Sequence, residues 1–150
     1  MQHRVSLLLF AILVVGGGLI IGFLTAPGDW YAQLAKPTFN PPNWLFAPVW
    51  TALYLLIAIA GWRIWHRNRE SWPMKFWWAQ LFLNFIWSPL FFAAERIDLA
   101  LAVILLLLCS ILEFIVYSWR LDRVASWLFI PYAVWVSFAS MLNASFLFLN

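Results

Sequence analysis

Five long apolar stretches, separated by short polar segments, follow one another along this chain. They cover residues 5–24, 44–64, 74–94, 99–118 and 124–149. A helix needs about 20 mostly apolar residues to cross the hydrocarbon core of a bilayer. The pattern predicts an all-α integral membrane protein: a bundle of five transmembrane helices in one domain, residues 1–150. The intervening segments are Pro-rich (25–43), basic (65–73), very tight (95–98) and short and basic (119–123). None has room for a soluble domain. The first stretch follows His3 and Arg4, as in a signal peptide. It exceeds the about 7–15 residues of a signal core, lacks an A-x-A site, and meets Pro27 where cleavage would fall. It is expected to remain as a helix.

Composition sharpens the picture. Of the 150 residues, 65% are apolar, 20% aromatic and 10% charged. Soluble domains are about 45–50% apolar and about 25% charged. That excludes an ordinary soluble enzyme and a disordered chain. Nine basic against six acidic side chains, a net +3, excludes a nucleic-acid footprint as well. Cys109 is the single cysteine, so no intrachain disulfide forms. Twelve tryptophans suit a membrane interface or an aromatic-lined pocket.

Charge also predicts direction. Arg4, Arg63, Arg67, Arg69, Lys75, Arg120 and Arg123 fall on the N-terminal side of the predicted bundle, and only Lys36 and Arg96 on the other. The positive-inside bias places the N-terminus in the cytoplasm, with the first loop and the C-terminus opposite. Helical spans suit a bacterial inner membrane.

The stretch from Trp30 to Trp44 lies mostly outside the spans yet is rich in Trp, Tyr, Phe and Pro. Pro37, Pro41 and Pro42 fix the backbone and remove donors, so this loop is stiff. It reads as a lid over the bundle or as an interfacial aromatic belt. Its residues Trp30-Tyr31, Lys36-Pro37, Asn40-Pro41-Pro42-x-Trp44, Ala47-Pro48-x-Trp50-Thr51 and Tyr54 resemble the signature of the TspO/MBR family. These are the tryptophan-rich sensory proteins of bacteria and the mitochondrial translocator proteins, or peripheral benzodiazepine receptors. Two further blocks agree: Gln80-Leu81, Asn84, Trp87-x-Pro89-x-Phe91-Phe92, and Pro131-Tyr132-x-x-Trp135, Phe138-Ala139, Leu142-Asn143. The resemblance covers nearly the whole chain.

It implies a five-helix bundle, a homodimer, and a pocket closed by the first loop. It also implies porphyrin or haem ligands and drug-like isoquinoline or benzodiazepine ligands. By resemblance, the pocket takes Gly22 from helix 1, Phe46, Ala47, Val49 and Trp50 from helix 2, and Asn84, Trp87 and Pro89 from helix 3. It continues with Leu99, Ala102 and Leu106 on helix 4 and Trp135, Ala139, Leu142 and Asn143 on helix 5, with Trp30 and Trp44 in or near the lid. The helix 4 and helix 5 sets each share one face by spacing. Tryptophan faces stack on flat aromatic ligands, each contact worth about 0.5–1.5 kcal/mol beyond area burial. Asn84 reads as interhelical glue, and Asn143 as glue or ligand contact. No metal site or cofactor is expected. Both histidines, His3 and His66, lie on the other side, so a haem would stack rather than gain a His ligand. The C-terminus, ending at Asn150, lacks the Tyr and basic residue of the sterol motif that mitochondrial relatives carry there, which weakens the case for sterol. Glu113, the one acid well inside a span, reads as snorkelling or paired with Arg120 or Arg123.

Three functions remain open at this point. The first is a tetrapyrrole sensor or transporter. The second is light-driven porphyrin degradation, with Trp50 and Trp135 as redox partners. The third is a small apolar-ligand transporter or scaffold. A binding protein is favoured over an enzyme, because no acid–base pair or nucleophile falls in the pocket.

Overall fold

The computed structural model describes residues 2–150, and all regular structure among them is helical. α1 (Gln2–Ala11) continues through a π-turn (Ile12–Gly16) into α2 (Gly17–Leu24). The π-turn falls where Val14 and Val15 meet the run Gly16-Gly17-Gly18. Branched side chains and glycines both lower helix propensity, so a one-residue slip is cheap there. A short helix, α3 (Asp29–Gln33), and a 3-10 turn (Asn43–Leu45) bridge to α4 (Phe46–Asn68). α5 (Trp72–Ser88) begins with Pro73 in its first turn, where a missing N–H costs nothing. Pro89 opens a second π-turn (Pro89–Ala93), closed by the Ala94 N–H on the Pro89 carbonyl at 2.9 Å. Glu95 then turns the chain with φ 56°. α6 (Ile97–Ser118) and α7 (Arg123–Leu149) complete the bundle.

Four helical runs among the described residues are long and apolar enough to cross a membrane: His3–Leu24, Asn43–Asn68, Ile97–Ser118 and Arg123–Leu149. α5 alone has 17 residues and is prolonged by the five of its π-turn. Large apolar side chains such as Phe23 and Phe148, 84% and 88% exposed, face outward. Hydrocarbon surroundings satisfy them and water would not. The chain is a multi-pass helical membrane protein.

Close packing sets the interior. α6 lies along both α5 and α7 and buries Ile97, Ala100, Ile104, Leu107, Ile111 and Phe114 against them. Phe114 stacks on Phe129 of α7 at 3.9 Å between centroids. Gly61 of α4 admits the indole of Trp77, which is fully buried and donates to the Ile57 carbonyl at 2.9 Å. Any Cβ at Gly61 would overlap that ring. Small residues at helix crossings are how membrane bundles gain dispersion contacts.

Of the two alternatives for Glu113, the pairing is not formed among the described residues. It is exposed on the outer side of α6 and pairs with neither arginine. The ion pairs among the described residues join Arg63 and Arg67 to Asp122, and Arg96 to Asp98. Arg123 instead lies over the Trp119 ring.

Asp122 is the N-cap of α7, accepting from the Ala125 N–H at 3.1 Å. Burial pushes its carboxyl up, but the Ala125 N–H and the guanidinium groups of Arg63 and Arg67 together hold it below the usual carboxylate range. A carboxylate with a depressed folded-state pKa contributes stability above its ordinary value of 3.8, and loses it as pH falls further. Asp122→Asn is therefore expected to lower the melting temperature at neutral pH and to flatten its fall at acid pH. Cap and charged hydrogen bonds together put the loss at roughly 2 kcal/mol. A variant profile parallel to the parent's across the acid limb contradicts this assignment.

Candidate ligand-binding cavity

A cavity of about 380 Å³ opens at the end of the bundle where α2 stops and α7 finishes. That volume falls within the about 300–1,000 Å³ of small-molecule sites. α2 supplies Gly18, Leu19, Ile21, Gly22 and Phe23, and α4 supplies Phe46, Ala47, Trp50, Thr51 and Tyr54. α5 and its π-turn add Asn84, Trp87, Ser88, Phe91 and Phe92, and α7 adds Trp135, Ala139, Leu142, Asn143 and Phe146. No lining side chain among the described residues is acidic or basic.

Aromatic contacts shape the walls. Trp50 lies 5.5 Å from Tyr54, and Phe46 meets Trp135 edge-on at 5.9 Å. Below them a buried polar chain locks three helices. Tyr54 donates to Asn84 Oδ1 (3.4 Å), Asn84 Nδ2 to Tyr132 Oη (2.7 Å), and Tyr132 to Gln80 Oε1 (2.9 Å). Asn143 is fully engaged: its Oδ1 accepts from Trp87 Nε1 at 3.0 Å, and its Nδ2 donates to the Ile97 carbonyl at 3.0 Å. Both asparagines join helices. Two buried donors are left over, Gln80 Nε2 in the polar chain and Trp135 Nε1 at the cavity wall. The indole N–H of Trp135 is buried and has no acceptor among the described residues. Leaving such a donor unpaired costs about 1–3 kcal/mol.

The segment between α2 and α4 adds Thr25, Pro27, Tyr31 and Asn43 to the lining. Tyr31, the buried residue of α3, wedges against Phe92 at 5.4 Å and Phe146 at 5.6 Å, while Trp30 meets Phe91 at 6.0 Å. Lys36 Nζ donates to the carbonyls of Tyr31 and Ala32, both at 3.1 Å, so its charge closes the end of α3. Ala35 exchanges two hydrogen bonds with the Asn150 side chain, pinning this segment to the end of α7. Thr25 and Ser88 hydroxyls meet at 2.6 Å and tie the top of α2 to α5. The side is less closed. Gly22 and Ala47 line the cavity yet are exposed, and a Cβ on Gly22 would meet nothing within 4 Å. The cavity opens there, between α2 and α4.

Of the residues expected at the pocket, Gly22, Phe46, Ala47, Trp50, Asn84, Trp87, Trp135, Ala139, Leu142 and Asn143 line this cavity. The others do not. Trp30 sits behind Phe91, and Trp44 is 71% exposed on the 3-10 turn. Val49 packs into the main core, and Pro89 serves the π-turn. Leu99, Ala102 and Leu106 are exposed on the outer side of α6. Their spacing does mark one helix face, but it is the one turned away from the bundle. The opposite face, with Ala100, Ile104 and Leu107, is used up against α5 and α7. Tyr31, Tyr54, Phe91 and Phe92, all within the quoted motifs, are cavity residues that the pocket set omitted, as are Gly18 and Phe146.

A sequence model of the TspO/MBR family matches residues 9–149. The chain belongs to the TspO/MBR family. Its relatives cover the same length. Protein CrtK of Rhodobacter capsulatus is 36% identical, over 97% of this chain and 94% of the relative. The tryptophan-rich sensory protein of Cereibacter sphaeroides is 34% identical, over 97% and 92%. The translocator protein of Ovis aries is 36% identical, over 85% and 79%. The TspO/MBR match thus includes every helix that walls the cavity.

Proposed function

We propose that this protein binds a porphyrin- or haem-type tetrapyrrole in the cavity and acts as a membrane sensor or transporter of it. The names sensory protein and translocator protein among the relatives support the broad role. The observation that carries the ligand class is the wall itself: Trp50 and Trp135 in an uncharged cavity, with the Trp135 N–H lacking an acceptor. A flat macrocycle offers faces for stacking and edge atoms for that donor. Its carboxylates would stay at the opening beside Gly22 and Ala47, since the lining offers no cation. No His or Cys lines the cavity among the described residues, so a haem would be held by its faces. The same uncharged lining favours binding over acid–base catalysis. Isoquinoline-type drugs fit the same description.

The spans follow from this reading. α5 with its π-turn completes five crossings, residues 25–45 form the lid, and the basic end faces the cytoplasm of a bacterial cell. Two such chains pair as a homodimer. Ligand entry would disturb the Tyr31 and Thr25 contacts of the lid and shift its population between closed and open forms.

Position-specific filling tests the site. Ala139→Trp, inside the cavity, is expected to weaken protoporphyrin IX binding at least tenfold, by occupying the space the ligand needs. Ala102→Trp, on the outer side of α6, is expected to leave it unchanged. Binding unaffected by Ala139→Trp in a protein that melts normally would place the ligand elsewhere.

A further inference from the structure

At the opposite end of the bundle a second cleft, of about 470 Å³, lies between the end of α4 and the turn joining α6 to α7. Its side chains include Arg63, Arg67, Arg120 and Arg123, with Asp122 the one acid. We propose that this cleft binds a phosphate group, presented by an anionic phospholipid headgroup of the adjoining leaflet or by a soluble phosphate ester.

The carboxylate acts as organiser. Asp122 is buried, and Arg63 grips it with both Nε and Nη2 at 3.0–3.2 Å. Arg67 Nε adds a contact at 3.4 Å, and the Ala125 N–H adds another. Both oxygens are therefore covered, and two guanidinium groups are held at the wall with donors to spare. Arg120 and Arg123 are exposed and have no carboxylate partner among the described residues. Arg123 lies over the half-exposed Trp119 ring, 5.5 Å from its centroid, which holds its head group beside the cleft. Four guanidinium groups against one carboxylate leave a strongly positive recess. Preset guanidinium forks match the oxygens of a phosphate better than those of a neutral headgroup. The cleft is built from the terminal turns of two apolar helices long enough to cross a membrane, α4 and α7, and the link before α7, and the ends of such helices meet the lipid phosphates. Scattered surface arginines would satisfy the positive-inside rule equally well. A recess built on a shared, buried carboxylate is more than that rule asks for.

The test uses the full chain in a non-ionic detergent, titrated separately with phosphatidylglycerol, phosphatidylcholine and inorganic phosphate, with the melting temperature as readout. Stabilisation by phosphatidylglycerol alone identifies the lipid source. Stabilisation by inorganic phosphate as well identifies a site open to soluble esters. In either case the paired variant Arg120→Gln/Arg123→Gln is expected to raise the midpoint concentration about tenfold, the loss expected of charge-assisted hydrogen bonds. Arg4→Gln/Arg69→Gln, equal in charge but outside the cleft, is expected to leave the midpoint in place. No stabilisation by phosphatidylglycerol or inorganic phosphate, equal stabilisation by phosphatidylcholine, no change in the cleft variant, or the same change in both variants overturns the proposal.

Discussion

Replacing Trp77 with alanine is expected to destabilise the bundle by about 3–5 kcal/mol, the range for emptying a large buried aromatic site. Trp77 is fully buried between α4 and α5, and its ring lies against Gly61. It meets Phe10 edge-on at 5.1 Å, so the indole also links α1 to the centre. The hydrogen bond to the Ile57 carbonyl adds a further contribution. Gly61→Ala in the parent introduces the reverse fault, overpacking, at about 1–3 kcal/mol. In the Trp77→Ala background the same glycine change meets empty space and should cost far less. Melting of the four proteins in detergent gives the coupling directly. Additive losses would mean that the two residues do not share one packing site.

Trp135→Ala is expected to weaken protoporphyrin IX binding about tenfold. The lost stacking is worth about 0.5–1.5 kcal/mol and the lost hydrogen bond a similar amount. Trp135→Phe keeps a ring and removes the donor, so it should fall between parent and alanine variant. Trp50→Ala removes a second ring of the cavity wall, again about tenfold, and the double variant should approach a hundredfold. Trp50 also meets Tyr132 edge-on at 6.4 Å, so each variant needs a melting curve beside its binding curve.

The sequence made the membrane class plain, because helix length and bilayer thickness are tied by geometry. Four of the five stretches appear as long apolar helices, and the third, α5, gives way to a π-turn at Pro89. The motif blocks also announced most of the cavity wall, since Trp50, Asn84 and Trp135 are distinctive at their spacings. Leu99, Ala102 and Leu106 show where periodicity fails. In a membrane protein the lipid-facing side of a helix is as apolar as the side lining a cavity, so a stripe cannot say which way it points. Asn143 shows a second limit. Nothing local to it announces that Trp87 and the Ile97 carbonyl, each more than forty positions away, will claim both ends of its amide. The Arg63–Asp122 pair was invisible for the same reason, joining residues 59 positions apart.

A tetrapyrrole bound in the cavity is expected to contact both Trp50 and Trp135. Titration of the detergent-purified protein with protoporphyrin IX in the dark, followed by tryptophan fluorescence, tests it most directly. Saturable quenching that is lost in the Trp50→Ala/Trp135→Ala variant, with melting unchanged, is the predicted result. Non-saturating quenching, equal in parent and variant, would show the porphyrin dissolving in the micelle, with no site at the two tryptophans.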